Sequence, residues 1–452
     1  LIAVEDEVKI VSGLKIDIII AYVQRYKFGH EIDFVPPITG IHLAAITPKK
    51  HLVRVFHQQL ESLDFNSNAD IIAISFFSGF AEMAYKLAGI FRAKGKMVVA
   101  GGPHVTFCQE EALIHFDSIV TGEAENVWQQ LLDDVINGKP ERIYNGTPCD
   151  MLSLPTPRYD LLPSAFLIKK VIQATRGCPF LCSFCTVPSL NPGFRFRPVE
   201  HVIRDASYDN FRFWWQKKVV WFWDDNLTIS RPYIKVLLKK MIPLKKWWLT
   251  QASMDIANDP ELLELMKESG CIGVFLGIES FGKESLRDAH KGQNKAENYS
   301  NAINEIHKMG IAVMAGFIAG FDHDSYEDIS SMAEKLMEIG VDVPFLSIMT
   351  PFNGTPIYSK LSSEGRIISD RGWNYYNGYN VAFKPAKLSE KDLLLAHRML
   401  WKKAFSFKYS FKRIFRSAIT LRPGAFLLSF FMNSFYCYKK LRKNHPADAC
   451  NL

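Results

Sequence analysis

Residues 175–185 read TRGCPFLCSFC, which places three thiols, Cys178, Cys182 and Cys185, directly after a stretch of strand character at Val171–Thr175. Downstream of this loop the pattern repeats. Strands are expected at Val219–Trp223, Trp248–Ser253, Gly273–Gly277, Val313–Ile318 and Phe345–Met349. Helical periodicity fills the intervals at Val199–Tyr208, Tyr233–Met241, Pro260–Glu268, Ala296–Met309 and Tyr326–Ile339. Pro260 at a helix start, with Gly270, Gly310 and Gly340 at helix ends, marks the boundaries. Six strand–helix units predict a partial (βα) barrel, smaller than the eight-stranded form.

Upstream of the loop the alternation is shorter. Strands are expected at Lys15–Val23, Asp70–Ser75, Met97–Ala100 and Ser118–Val120, with helices at Glu82–Lys94 and Glu125–Ile136. This is the pattern of a doubly wound parallel α/β sheet, flavodoxin- or Rossmann-like. Gly101, Gly102 and Gly122 follow strands, at the sheet edge where such folds bind ligands. The Pro-containing stretch Thr147–Pro163 reads as a linker. The expected division is therefore an α/β domain over 1–146, a linker over 147–165, the barrel over 166–365 and a helical, basic extension over 366–452.

Cysteine thiolates are the usual protein ligands of iron–sulfur clusters, and close spacing lets one loop wrap one cluster. Three thiols leave one iron of a four-iron cluster open to a ligand, as an open position does in catalytic zinc sites. A structural zinc would take four ligands, often from two Cys-x-x-Cys pairs, and no second pair is visible. The other five cysteines, Cys108, Cys149, Cys271, Cys437 and Cys450, are scattered. That pattern excludes a disulfide scaffold and suits a reducing cytoplasm. No secretory signal stands ahead of them, and because the chain starts at Leu1 its true start is expected to be missing or unconventional.

The spacing Cys-x-x-x-Cys-x-aromatic-Cys, with Phe184 as the aromatic, resembles the signature of the radical S-adenosylmethionine superfamily. The flanks RGCPFLCSFCTVP and FRFRP resemble the subgroup with an N-terminal cobalamin-binding domain, and the resemblance runs from about Asp17 to about Arg416. It implies a 4Fe–4S cluster on the three cysteines, S-adenosylmethionine on the open iron, and reductive cleavage to a deoxyadenosyl radical that activates a substrate C–H bond. It further implies cobalamin-dependent C-methylation, with a radical cyclase or rearrangement enzyme as the alternative. A non-catalytic cobalamin- or redox-responsive binding protein is the third reading. Methylthiotransfer is disfavoured, because it needs three more cysteines ahead of the motif and only Cys108 and Cys149 stand there.

By the same resemblance, Asp224 and Asp225 of WFWDDN, then Gln251 and Ser253, fall at the ends of the second and third barrel strands. Gly277 and Glu279 of FLGIES, then Gly316 and Ile318 of GFIAGFD, end the fourth and fifth. With Phe184 these are the expected S-adenosylmethionine contacts, Glu279 toward the ribose hydroxyls. Taken alone, Asp224 and Asp225 are equally suited to cap a helix, and Glu279 to be a structural carboxylate. In the first domain, SFFSG, GGPHVT and VTGEAE resemble the nucleotide-tail pocket of cobalamin domains. Ser75, Ser78, Gly101, Gly102, His104, Thr106, Gly122 and Glu123 are the expected contacts. No Asp-x-His-x-x-Gly axial-ligand motif occurs: His30 is followed by Glu31 and Ile32. The alternative is a flavodoxin-like domain that keeps the fold without the ligand.

Composition suits a multidomain globular chain: 452 residues, 48% hydrophobic and 22% charged, with no solenoid repeat. The formal charge of +7 is local. Eleven Lys and Arg and no acidic residue lie between Lys402 and Lys443, and without them the remainder carries −4. The apolar run GAFLLSFFMNSFYCY from Gly424 is short of the ~20 residues that span a bilayer. The tail is expected either to lie on an anionic membrane surface or to dock on the barrel. The expected partners are a small, apolar or lipid-like substrate and an electron donor such as a flavodoxin or ferredoxin, without nucleic acid. The expected location is the cytoplasm, peripheral to the inner face of the membrane.

Overall fold

The computed structural model describes residues 13–23 and 35–444; His30, Glu31, Ile32 and Cys450 lie outside them. Six strands form a first parallel sheet: β1 (Lys15–Ile20), β2 (Leu52–His57), β3 (Ile71–Ser75), β4 (Met97–Gly101), β5 (Ser118–Thr121) and β6 (Ile143–Asn145). Their order is β2-β1-β3-β4-β5-β6, the flavodoxin-like winding in which β1 and β3 flank the switch point. Helices cover both faces because the central strands are apolar on both. Ile72, Ile74, Val98 and Ile119 pack on one side with Leu87 and Phe91, while Ile18, Ile71 and Val99 pack on the other with Trp128 and Leu131.

The edge strands β2 and β6 escaped the sequence reading. LVRVFH carries Arg54 in its middle, and β6 is three residues long, so neither shows an unbroken apolar run. The segment after β6 is packed rather than free: Cys149, Met151 and Leu154 are buried together.

The second parallel sheet contains β7 (Lys170–Ile172), β10 (Val219–Phe222), β11 (Trp247–Ala252), β12 (Cys271–Glu279), β13 (Ala312–Ala319) and β14 (Val343–Ile348), in that spatial order. Between β7 and β10 a two-stranded antiparallel ladder, β8 (Thr175–Arg176) and β9 (Arg195–Phe196), clasps the two ends of the cysteine loop. The outer wall is one continuous core in which Val220, Phe222, Trp248, Val274, Leu276 and Val313 meet Leu237, Leu262, Ile303 and Leu336 of the surrounding helices. One expected helix differs: 326–339 is broken at Ser331 into Tyr326–Ser330 and Met332–Glu338, the first opened by a reciprocal Ser325–Asp328 capping box.

Beyond the barrel, Glu390–Ala404 packs on its wall, and Phe407–Thr420 and Pro423–Leu441 form a helical hairpin. Gly424 lies against Ile272 and Trp247, and Leu428 against Gly273. These are strand starts, so the last helix closes the floor of the barrel, opposite the cysteine loop.

Candidate active site

Local constraints shape the cysteine loop before any ligand does. Gly177 has φ +86°, and a Cβ there would lie 1.9 Å from the Gly193 carbonyl oxygen, so only glycine lets the two ends of the loop touch. Asp224, fully buried, accepts from the backbone N–H and hydroxyl of Thr175, the latter at 2.6 Å, and from the Ala174 N–H at 3.3 Å. Asp225 accepts from the Gly177 N–H at 2.9 Å. The two aspartates therefore act first on the segment entering the cysteines. Burial pushes the Asp224 carboxyl up to about 7 despite its donors.

The three thiols are free and partly to fully buried, and burial raises each, Cys185 to about 12. Soft thiol donors in such a site gain most from a metal that fixes them as thiolates. Among the described residues, the one triad of ligand-type atoms within 4.8 Å of one another is Glu123, Glu125 and Cys149, not the cysteine loop. A single zinc would draw its ligands that close. In a cluster each thiolate binds its own iron, and three soft donors on one loop suit that donor set.

The loop is held from the far side by 288–294. Ser183 N–H donates to the Ala289 carbonyl at 3.1 Å, its hydroxyl to the Asp288 carbonyl at 2.9 Å, and His290 Nδ1 approaches the Leu181 carbonyl at 3.2 Å. Lys291, from the same segment, stands 3.2 Å from Glu279 Oε1 and donates to the Gly277 carbonyl at 3.2 Å. Burial works against its charge, yet Glu279 and the Cys182 and Cys185 thiols hold its pKa above the usual lysine value. Glu279 sits at φ +67° beside a register shift in the β12–β13 pairing, a bulge that turns its side chain over Gly277 and toward Gly316. Gly277, Glu279 and Gly316 thus converge, and Lys291 joins them unannounced. No local motif marks it; its place depends on the loop folding back over β12.

The rest of the barrel set is more dispersed. The Ser253 hydroxyl accepts from Asn226 at 3.1 Å and donates to Asp255 at 2.6 Å, while the Gln251 carbonyl accepts from the Leu227 N–H. Ile318 is half-buried near the end of β13. Phe184 packs edge-on to Phe321 at 6.3 Å, turned into the barrel wall.

In the first domain the expected pocket divides. Gly102 at φ +109° would drive a Cβ to 2.7 Å from the Phe76 carbonyl, and the Gly122 N–H donates to the Thr106 hydroxyl at 3.0 Å. With Ser75 and Gly101, these residues form a side-chain-poor cradle at the ends of β3, β4 and β5. The Thr106 hydroxyl also donates to the Gly102 carbonyl at 3.1 Å, and the other three residues are likewise engaged. His104, 1% exposed, lies between the Tyr85 hydroxyl at 2.7 Å and the Ser78 hydroxyl at 3.1 Å, and burial lowers its pKa to about 4. Glu123 meets Arg176 at 2.6 Å, pairs with Arg195, and accepts from the Cys149 N–H at 2.9 Å. The polar atoms of Ser78, His104 and Glu123 thus meet protein partners in this structure. Glu125 likewise pairs with Arg176 at 2.8 Å and His42 at 2.9 Å, so its triad with Glu123 and Cys149 is an ion-pair network, not a metal site.

The Radical SAM superfamily profile matches residues 172–336. The bacteriochlorophyllide d C-12(1)-methyltransferase of Chlorobaculum tepidum is 32% identical over 335 residues, covering 73% of each chain. The C-8(2)-methyltransferase of the same organism is 30% identical over 392 residues, 82% of this chain and 85% of the relative. The hopanoid C-2 methylase of Rhodopseudomonas palustris is 27% identical over 75% of this chain and 66% of its own. Among solved structures, the cobalamin-dependent S-adenosylmethionine radical enzyme OxsB superposes with TM-score 0.68 at 14% identity, over 95% of this chain and 72% of that one. The radical methyltransferase TsrM of Kitasatospora setae gives 0.62 at 15% identity, over 78% of each.

Proposed function

The chain belongs to the radical S-adenosylmethionine superfamily, and on that premise we propose that it is a cobalamin-dependent C-methyltransferase acting on an unreactive carbon of an apolar small molecule. It is an enzyme that uses a 4Fe–4S cluster and S-adenosylmethionine. The observation carrying the cobalamin part is the contact of the Gly122–Glu123 loop with Arg176, two residues before Cys178. It joins the segment after the Gly122 turn to the start of the cysteine loop, as transfer between two cofactors requires.

When bound, the reduced cluster supplies the electron that splits S-adenosylmethionine into methionine and a deoxyadenosyl radical, and cobalamin supplies the methyl group. The chain's own residues bind and position. Cys178, Cys182 and Cys185 hold three irons, and Asp224 and Asp225 brace their loop. Lys291 neutralises the methionine carboxylate, and Glu279 accepts from the ribose hydroxyls. Gly277 and Gly316 admit the adenine against backbone beside Ile318, with Gln251 and Ser253 lining the third strand end. Ser75, Gly101, Gly102, Thr106 and Gly122 receive the cobalamin tail.

The inner wall carries half-buried Trp221, Phe275 and Phe345, the last two edge to face at 5.3 Å. Aromatic walls favour a flat or polycyclic apolar substrate, the chemistry of the compounds named for the relatives. The reductant is a small electron carrier such as a flavodoxin or ferredoxin, and the tail makes peripheral contact with a membrane.

The test is anaerobic reconstitution with iron, sulfide and cobalamin, followed by reduction with methyl-labelled S-adenosylmethionine and candidate tetrapyrrole or polycyclic substrates. Deoxyadenosine and a labelled product, both lost in Cys182→Ala, are expected. Deoxyadenosine with an unlabelled, ring-closed product would replace methylation by cyclisation. A chain that holds zinc and no oxygen-sensitive cluster would sink the reading.

A further inference from the structure

The second helix of the tail hairpin packs Leu428, Met432 and Tyr436 inward on the barrel floor. The hairpin's inner seam is polar: buried Arg413 donates to Asn433 Oδ1 at 2.7 Å and the Ala404 carbonyl at 2.6 Å, and Asn433 donates to the Asp342 carbonyl at 2.9 Å. Ser417 lies 2.8 Å from Ser429 and 3.1 Å from buried Asp342. Its outward face is apolar. Phe407, Phe411, Phe415 and Ile419, four residues apart on one helix, are 57–70% exposed. Successive phenyl rings stand 6.0 and 6.4 Å apart in a file. The second helix adds exposed Phe430, Phe431, Tyr438 and Leu441. A helix on a water-facing surface turns its apolar stripe inward; Phe407–Thr420 turns its stripe outward, the mark of an apolar partner.

Charge selects the partner. Lys408 and Lys412 follow Phe407 and Phe411 by one residue and are exposed, as are Arg442 and Lys443 after Leu441. Lys402 and Lys440 line one groove beside the hairpin, in which Lys403 is paired with Glu334. No acidic residue occurs from Lys402 to Lys443. A second copy on a two-fold axis would set these bases against themselves. An anionic lipid surface takes the rings at the level of the acyl chains and the bases at the headgroups. Among the described residues no helix is long and apolar enough to cross a membrane, so the hairpin lies on the surface.

We propose that the outward face of the 407–441 hairpin binds anionic membrane. Because the last helix closes the barrel floor at the strand starts, the chain sits floor-down, with the cysteine loop and cobalamin cradle turned away from the lipid. This binding does not depend on the reaction: a chain without its cluster keeps the same tail.

The experiment is co-sedimentation of the full chain with vesicles of phosphatidylcholine alone or mixed with phosphatidylglycerol. Binding to the mixed vesicles alone is expected, falling with added salt. The double variant Phe411→Ser, Phe415→Ser should bind about tenfold or more weakly, with an unchanged melting temperature because both rings are solvent-facing. Binding that survives in that variant would overturn the proposal, as would no binding to either vesicle. A dimer in solution that the same variant dissolves, without vesicle binding, would assign the face to a second copy instead.

Discussion

Arg176 Nη1 lies 2.6 Å from Glu123 Oε2, with both side chains at least nine-tenths buried. One residue stands two places before the first cluster cysteine and the other follows the Gly122 turn of the first domain. Arg195 and Glu125 extend the contact into a directly paired group of charges. Removing Glu123 leaves Arg195 without its carboxylate and Arg176 with Glu125 alone.

Glu123→Ala should therefore cost about 1–3 kcal/mol of stability, read as a lowered denaturation midpoint. Burial pushes both Glu123 and Glu125 up, but Arg195, Arg176 and His42 more than reverse it, and both end below the ordinary glutamate value of 4.5. Carboxyls depressed in the folded state contribute stability that is complete above their unfolded pKa and is lost as pH falls through the folded one. The melting temperature should drop as pH is lowered below about 4.5, and calorimetry in the wild type and Glu123→Gln should show a shallower drop in the variant.

Two glycine variants should separate the cofactors. Gly102→Ala forces a Cβ against the Phe76 carbonyl and should release cobalamin while iron content and deoxyadenosine formation persist. Gly177→Ala, whose Cβ would strike the Gly193 carbonyl, should lose iron. Absorbance of bound cobalamin and iron analysis on the purified chains check both. Equal loss of both cofactors in each variant would contradict the division of labour.

Lys291→Met should weaken S-adenosylmethionine binding by about ten- to a hundredfold, the range for a lost hydrogen bond to a charged group. Lys291→Arg should recover part of it. Equilibrium dialysis on the reconstituted protein measures the change, and iron content should stay level, since Lys291 is not a cluster ligand.

His104→Gln should leave the spectrum of bound cobalamin unchanged, because both ring nitrogens face Tyr85 and Ser78. A spectral change would show that His104 senses the bound cobalamin. Its depressed pKa also has a thermodynamic sign. The folded chain resists protonation of this ring, so stability is lost as pH falls from 6.5 through about 4, and the variant should lose less across that window.

The cysteine triad, the six barrel strands and the glycine turns were legible because each is a local pattern: a spacing, an alternation, a turn residue after an apolar run. Lys291 and the pairing of Glu123 with Arg176 were not. Lys291 reaches Gly277 across 14 residues, and Arg176 reaches Glu123 across 53 and between two sheets. No short motif carries such a pairing. Ser78 and His104 show the same limit from the other side. Their residue types suit a ligand pocket, yet only the packing of Tyr85 and Trp373 around them decides that the ring is enclosed.

The sequence by itself determined that this chain has two parallel α/β units, a three-cysteine loop after a strand and an amphipathic basic tail. Only the tertiary structure decided that the two units meet through Arg176 and Glu123, and that the tail turns its polar side inward onto Asp342. The physical reason is the same in both cases. Periodicity along one chain shows that a helix has two unlike faces, but what each face meets is set by segments distant in sequence.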